Sequence, residues 1–212
     1  MEHVDEQIIS LLYGEQENKE QADDKQNGTQ SDQPILFHQA VLKINGETIP
    51  FTEERLLNGK IRVLLPKTFH QMSPQAAAMK YPSERRPELI YTNDNASINI
   101  AFNHTEHNVM EAEIEEFTVS MIHILRRMQP ILQWYEDGVK DIHGKRVGYC
   151  EFLAPSLNVN VYNLMFFAEL EQTALLCTFN CSEEEMKHWQ PIARGLMDSL
   201  VIGELEEGRT QQ

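Results

Sequence analysis

The fold is decided by residues 160–180, which read NVYNLMFFAELEQTALLCTFN. Two strongly apolar runs, residues 160–170 and 173–180, are separated only by Glu171 and Gln172. Such a tight connection predicts that the two runs are strands of one antiparallel hairpin. Residues 162–167 are mostly apolar without alternation, so we expect both faces of these strands to be covered, at least locally.

Further strand patterns precede this hairpin. Residues 38–44 alternate in polarity, and Asn45-Gly46 is typical of the type I′ turn that would return the chain through residues 47–51. Additional strands are predicted at 61–65, 88–91, 97–102, 134–139 and 146–154, and residues 67–86 are expected to be a long connection. Consecutive strands without helices between them indicate an antiparallel sheet.

Two helices complete the pattern. The first has acidic residues at its start, Arg126 and Arg127 at its end, and Pro130 as its stop. The second begins after Ser182, which with Glu185 forms a capping box. The apolar stripe of the first helix consists of Ile114, Phe117, Met121, Ile124, Leu125 and Met128. That of the second helix consists of Met186, Trp189, Ile192, Ala193, Leu196 and Leu200. The sequence therefore predicts an α+β fold, an antiparallel β-sheet with both helices packed on one face.

A break in composition near residue 34 divides the chain. Between Gly14 and Gln33 the only apolar residue is Ala22, so we expect residues 15–34 to be a disordered acidic linker. Residues 35–202 are expected to form a single domain, followed by a disordered tail at 203–212. Residues 1–14 carry a short amphipathic stripe that is too short to fold alone and is patterned like a docking helix, in cis or in trans. The stripe consists of Val4, Ile8, Leu11 and Leu12.

Charge and composition exclude several classes of partner. A formal net charge of −15 argues against a nucleic-acid partner, because phosphate binding needs clustered Lys and Arg. No apolar run is long enough to span a bilayer, and the first residues lack the basic and apolar regions of a signal peptide. We therefore expect a cytoplasmic protein with no membrane partner. Cys150, Cys177 and Cys181 lack CxxC spacing and are expected to be buried free thiols.

Motifs of known catalytic chemistry are missing from the sequence. It contains no GxSxG, P-loop or GxGxxG motif, so we predict no catalytic residue and no cofactor. The best metal candidate is the pair His104 and His107, whose third ligand would have to come from His38, His70 or His143. This pair keeps open one alternative, a metal-dependent, hydrolase-like enzyme.

The order of elements also resembles a known family. An early strand ends in Leu64-Leu65-Pro66, a glycine-turn segment occupies residues 142–149, and the last helix ends in Asp198-Ser199-Leu200-Val201-Ile202. From residue 61 to 202 the chain resembles the PsbP/DcrB-like superfamily, which includes PsbP, DcrB, the Ran-binding Mog proteins and Eag-type effector chaperones. The resemblance implies mostly non-catalytic work and transfers no active-site residue.

These observations favour a non-enzymatic protein-binding adaptor or chaperone-like domain with a protein partner. The candidate binding residues are the stripe of residues 4–12 and one face of a partly open sheet, represented by Tyr162, Leu164 and Phe166. Two alternatives remain beside the enzyme: the central strands are fully covered by the protein itself, or the chain is a self-assembling structural component. The partner and the oligomeric state are left open.

Overall fold

The computed structural model describes residues 41–44, 47–83 and 86–203 of the 212-residue chain. The predicted N-terminal helix, the linker and nearly all of the C-terminal tail lie outside these residues. None of the helices in the described ranges is long and apolar enough to cross a membrane. The helices are α1 (Pro74–Lys80), α2 (Ile114–Met128, preceded by a 3₁₀ turn at Glu111–Glu113) and α3 (Glu183–Asp198). The strands are β1 (Val41–Ile44), β2 (Glu47–Leu56), β3 (Ile61–Pro66), β4 (His70–Gln71), β5 (Leu89–Thr92), β6 (Asn99–Asn108), β7 (Gln133–Ile142), β8 (Lys145–Pro155), β9 (Asn160–Leu170), β10 (Thr173–Ser182) and β11 (Val201–Ile202).

The larger of the two sheets formed by these strands is seven-stranded and antiparallel, in the order β4-β5-β6-β10-β9-β8-β7. Its centre is the hairpin β9–β10, in which Leu170 lies opposite Thr173. Glu171 and Gln172 between them both have positive φ, as a type I′ turn requires of its two central residues. The hairpin predicted from residues 160–180 is confirmed, and it lies in the middle of the fold.

The two long helices cover opposite faces of this sheet. Leu164 and Phe166 belong to the same core as Trp189 of α3, whereas Met165 and Phe167 pack with Phe117 of α2. Successive side chains of a strand point to opposite faces, so this division follows from the sheet itself. The α+β class with antiparallel sheets is confirmed, but the expectation that both helices share one face is corrected. Because the central strands are apolar on both faces, each face requires its own cover.

A four-stranded antiparallel sheet, in the order β1-β2-β3-β11, packs beside α3. Ile61, Val63 and Leu65 of β3 are buried in the α3-side core. The chain leaves α3 through Ser199, whose hydroxyl accepts a hydrogen bond from Leu64 N at 3.0 Å and donates one to Leu196 O at 2.7 Å. Val201 and Ile202, the last residues of the motif that resembles the family, thus form the short edge strand β11. This strand connects the small sheet to the end of α3.

The connection at residues 67–86 is more structured than predicted. It contains β4 and α1, and α1 begins where Ser73 Oγ accepts a hydrogen bond from Ala76 N at 3.2 Å. Pro74 occupies the first turn, where its missing N–H costs nothing. The start signals of this helix were present in the sequence, but seven residues are too few for a clear helical period.

Candidate functional site

The predicted sheet-face residues are core residues. Tyr162, Leu164 and Phe166 are fully buried beneath α3 and the small sheet. A partner cannot contact them while the fold is closed, so this part of the predicted binding surface is corrected. The apolar excess of β9 is explained by two covered faces, which was the alternative left open. The stripe of Val4, Ile8, Leu11 and Leu12 lies outside the described residues, and its binding role stays a prediction.

The two histidines of the metal candidate do not converge. His104 and His107 lie on opposite faces of the sheet, because His104 is paired with Leu175 of the α3-side core, whereas His107 packs on the α2 side. His104 Nε2 lies 3.0 Å from Leu170 O and 2.8 Å from Thr173 Oγ1, whereas the His107 ring packs 5.6 Å from that of Phe117. In the described ranges, no three His, Cys, Asp or Glu side chains are grouped to hold a metal ion. The geometry contradicts a shared His104/His107 site.

The most unusual polar group is a carboxylate buried under α3. Glu151 of β8 is fully buried, and Arg194 of α3 binds it through Nε to Oε1 at 2.5 Å and through a terminal nitrogen to Oε2 at 3.1 Å. Gln190, one turn earlier, donates to Oε2 at 2.9 Å. The hydrogen bonds with Glu151 raise the pKa of Arg194 above its ordinary value. The charge is therefore held by α3 itself, and this pair fixes the helix to the sheet.

Three tyrosines surround the ion pair and remain protonated. Burial, followed by a 2.9 Å hydrogen bond to Glu136, raises the pKa of Tyr149. Burial and then the charge of Glu151 raise the pKa of Tyr162 well above its ordinary value. The Tyr162 hydroxyl is near Glu151 but does not meet hydrogen-bond geometry with any described residue. Tyr135 Oη lies 3.3 Å from Met186 Sδ. None of these groups is poised to exchange a proton near neutral pH.

The cysteines do not form a reactive site either. Cys150, Cys177 and Cys181 are free and buried, as the sequence predicted. Burial raises the pKa of Cys150 and Cys177 well above the ordinary value. At Cys181, burial and then Glu185 raise the pKa to about 12, which outweighs its position at the start of α3.

The exposed apolar side chains are concentrated at one end of the seven-stranded sheet. Of the seven large apolar side chains exposed in the described ranges, four lie where α2 ends, β7 begins and the β8–β9 turn projects. Leu132 N donates to Leu153 O at 2.8 Å, and Ser156 N to Val159 O at 3.1 Å, so both segments are held at this end by backbone hydrogen bonds. We call this surface the end patch. It consists of Met128, Leu132, Leu157 and Val159, which are 42–78% exposed.

Sequence reasoning missed both the ion pair and the end patch. Glu151 stood out as a single acid in an apolar strand, which is a signal for a buried charge with a partner. Its partner, however, is 43 positions away, and no local pattern connects them. Leu132, Leu157 and Val159 are scattered in connecting segments, so only the fold reveals that they share one end.

Comparisons with known proteins bear on the fold. No family model matches the sequence, and no curated protein matches it. The solution structure of cyanobacterial PsbP (CyanoP) from Synechocystis sp. PCC 6803 is similar with a TM-score of 0.50 and 8% identity, over 72% of this chain and 92% of that one. A protein of unknown function from Pseudomonas aeruginosa, PA94, aligns with a TM-score of 0.43 and 12% identity over 73% of this chain and 99% of its own.

LpqN of Mycobacterium tuberculosis, described as involved in cell envelope biogenesis, aligns with a TM-score of 0.47 and 11% identity over 74% of this chain and 92% of its own. At such identities the likeness concerns the fold alone. The described chain has the PsbP-like fold, and the resemblance seen in the sequence is thereby confirmed at the level of the fold.

Proposed function

We propose that this chain is a non-enzymatic protein-binding module and that the end patch binds an amphipathic helix. The observation that carries the proposal is the concentration of exposed Met128, Leu132, Leu157 and Val159 at one end of the sheet. Exposed apolar side chains scattered singly are ordinary, but a group of them at one place marks an interaction surface. A protein partner in the cytoplasm, as expected from the sequence, is part of this proposal.

Two features favour binding over catalysis. The polar groups under α3 are engaged with each other, since Glu151 is held by Arg194 and Gln190, and the described cysteines are buried with raised pKa values. The fold is shared with PsbP, and the superfamily that the sequence resembles performs mostly non-catalytic work.

The occupant that we assign to the end patch is the chain's own residues 4–12. The stripe of Val4, Ile8, Leu11 and Leu12 would present a helix face of matching apolar character. Acids stand on both sides of Val4, and Arg127 is exposed at the end of α2 beside Met128, so the charges are complementary. Residues 13–40, if flexible as predicted, span on the order of 30 Å, so the tether leaves the helix free to sample a wide part of the surface. A tether of this length holds the helix at high effective concentration, and a partner's helix would have to displace it.

Thiol protection tests this assignment in the full chain. The native cysteines are buried, so the single substitution Leu132→Cys introduces one reactive thiol in the end patch. We expect its alkylation by a small neutral reagent to be several-fold slower than in a matched chain that also carries Ile8→Ser and Leu11→Ser. Met110→Cys is the control, because Met110 is also exposed but lies after β6, at the opposite end of the sheet. Its rate should not respond to the serine substitutions.

A second measurement extends the test to binding in trans. A fluorescently labelled peptide of residues 1–14 is titrated into the chain that carries Ile8→Ser and Leu11→Ser. Binding that is lost on Leu132→Ser plus Leu157→Ser supports the end patch as a helix-binding site. Equal alkylation rates with and without the stripe, together with no peptide binding, would refute the assignment.

A further inference from the structure

A second surface carries an inference independent of the end patch. Strand β7 is the ten-residue edge of the seven-stranded sheet, and β8 is its only ladder partner among the described strands. The edges formed by β4 and β11 are two residues long, and the edge formed by β1 is four residues long. A long edge strand presents a row of backbone N–H and C=O groups that can pair with another strand.

A groove runs beside this edge because α2 leaves β7 partly uncovered. The groove has a volume of about 420 Å³ and lies between α2 and residues 137–141 of β7. Val119 of α2 projects into it and is 63% exposed, and Ile122 and Val139 are half-buried along its wall. The edge therefore offers both a row of backbone groups that pairs with no other described strand and an apolar helix flank.

The charges of β7 are arranged symmetrically about its central glycine. Glu136 and Lys140 stand on either side of Gly138, and both lie on the α3 face, where Glu136 bonds Tyr149 and Lys140 lies over the Tyr149 ring. In an antiparallel pairing of two β7 strands centred on Gly138, each Glu136 lies opposite Lys140 of the second copy. Opposite charges at such positions are favourable, and like charges are unfavourable.

Neighbouring registers with the same geometry are unfavourable. If the pairing is centred on Glu136, Asp137 or Lys140, that charged residue lies opposite the same residue of the second copy. If the pairing is centred on Val139, Asp137 of one copy lies opposite Asp141 of the other. Among the registers centred on residues 136–140, the one centred on Gly138 is the one that avoids these repulsions. In this register, the two-fold axis that relates the two copies is perpendicular to the sheet. Both α2 helices therefore lie on the same face of the joined sheet, and the two grooves are adjacent.

We propose that two copies of this chain pair through β7, antiparallel and centred on Gly138, to form one continuous sheet. The pairing satisfies the outer backbone groups of β7, joins two Glu136–Lys140 pairs and brings Val119 and Ile122 of each α2 toward those of the other copy. This inference goes beyond the proposed helix binding, since it uses a different edge of the fold and a second copy as the partner.

Disulfide trapping tests the register directly. Gly138→Cys places the two introduced thiols opposite each other, where Cα atoms of directly paired residues are about 4.5–5.5 Å apart and a disulfide can form. A Cβ at Gly138 would lie 3.5 Å from its nearest neighbour, Tyr149 Oη, which is an ordinary contact, so the substitution fits. Under mild oxidation we expect the full chain with Gly138→Cys to form a covalent dimer at least tenfold faster than the Met110→Cys control.

Sedimentation equilibrium tests the charges. Lys140→Glu and Glu136→Lys should each raise the dimer dissociation constant about tenfold, because each replaces two favourable cross-strand pairs with two unfavourable ones. The double exchange should restore dimerisation. Val119→Glu, at an exposed helix position where folding is not at risk, should weaken the dimer as well. A chain that stays monomeric at millimolar concentration overturns the proposal. So does a dimer that is insensitive to these substitutions and gives no Gly138→Cys disulfide above the control.

Discussion

The two faces of the seven-stranded sheet are covered in different ways. On one face α3 packs together with a second sheet and inserts an ion pair, Arg194 with the fully buried Glu151. On the other face α2 packs on an apolar surface and approaches β8 closely at Gly148, and the short helix α1 packs on Ile90 and Ala101 of the same face. The α3 face combines a large apolar core with one buried ion pair, whose two members each need the other as partner. The α2 face depends on close packing of side chains. This difference predicts different responses to substitution.

The largest effect is expected from truncating the aromatic residue at the centre of each face. Trp189 of α3 lies between Phe69 and Phe179, with ring centroids 5.6 and 6.1 Å away, and Trp189→Ala should lower the free energy of unfolding by roughly 5 kcal/mol. Phe117 of α2 contacts the rings of His107 and Phe167, but its side chain is smaller and slightly more exposed than that of Trp189, so Phe117→Ala should cost about 3 kcal/mol.

Chemical denaturation measures both values. His188→Ala, at the exposed neighbour of Trp189, is the control and should change the free energy of unfolding by less than about 0.5 kcal/mol. If Phe117→Ala destabilised the protein as much as Trp189→Ala does, the α3 face would not be the dominant core.

The next effect concerns the ion pair. Glu151→Ala leaves the guanidinium of Arg194 without its main partner, and breaking a buried pair in this way costs about 3 kcal/mol. We expect the lower end of the usual range because Arg194 is partly exposed and can turn toward water. Glu136→Ala is the matched control: its carboxylate is half-exposed, lies 3.4 Å from Arg194 and accepts a hydrogen bond from Tyr149, so its loss should cost only about 1–1.5 kcal/mol. Equal costs in denaturation experiments would contradict the special role of the buried carboxylate.

A smaller effect probes the α2 face. A Cβ on Gly148 would overlap Thr118 Oγ1 and lie 2.9 Å from Thr118 Cβ, so Gly148→Ala should destabilise the protein by about 2 kcal/mol through overpacking. Gly138→Ala, the same change on the adjacent strand, meets only ordinary contacts and should be nearly neutral. Combining Gly148→Ala with Thr118→Ala should recover part of the loss in a double-mutant cycle, because the overlap with Oγ1 is removed while the 2.9 Å approach to the Cβ of residue 118 remains. Simple additivity of the two changes would show that α2 does not approach β8 as closely as described.

The sequence predicted the elements whose signals are local. The β9–β10 hairpin follows from two apolar runs and a two-residue turn, and α2 and α3 follow from their stripes, with Pro130 and Ser182 at the boundaries. Ser182 does cap α3, accepting a hydrogen bond from Glu185 N at 3.4 Å. Each of these features depends on residues a few positions apart, which is the range that periodicity and capping describe.

Properties that depend on distant residues could not be predicted in this way. Which face a helix covers is decided by side chains on several strands, and β8 and β9 are apolar on both faces, so the pattern allowed either arrangement. The same two-sided apolar character made Tyr162 and Phe166 look like an open binding face, although they are fully buried. The candidate surfaces that the fold reveals, the end patch and the β7 edge, are assembled from segments whose individual patterns are ordinary.

The smallest expected effect separates two tyrosines that look alike in sequence. The Tyr162 hydroxyl is buried and makes no hydrogen bond with a described residue, although Glu151 is near. Burying a hydroxyl without a partner is unfavourable, so Tyr162→Phe should raise the free energy of unfolding by about 1 kcal/mol. The ring contacts with Tyr135 and Phe179 are kept in this variant.

Tyr149→Phe is the matched control with the opposite sign. Its hydroxyl donates to Glu136 at 2.9 Å, and the loss of this bond should lower the free energy of unfolding by about 1 kcal/mol. Both values follow from urea denaturation at neutral pH, where both phenols are protonated because their pKa values are raised. A loss of stability in Tyr162→Phe would mean that this hydroxyl donates to Glu151 in solution. The polar contact of Glu151, Arg194 and Gln190 would then include Tyr162 of β9 as a fourth member, and the buried carboxylate would be bound by the sheet as well as by the helix.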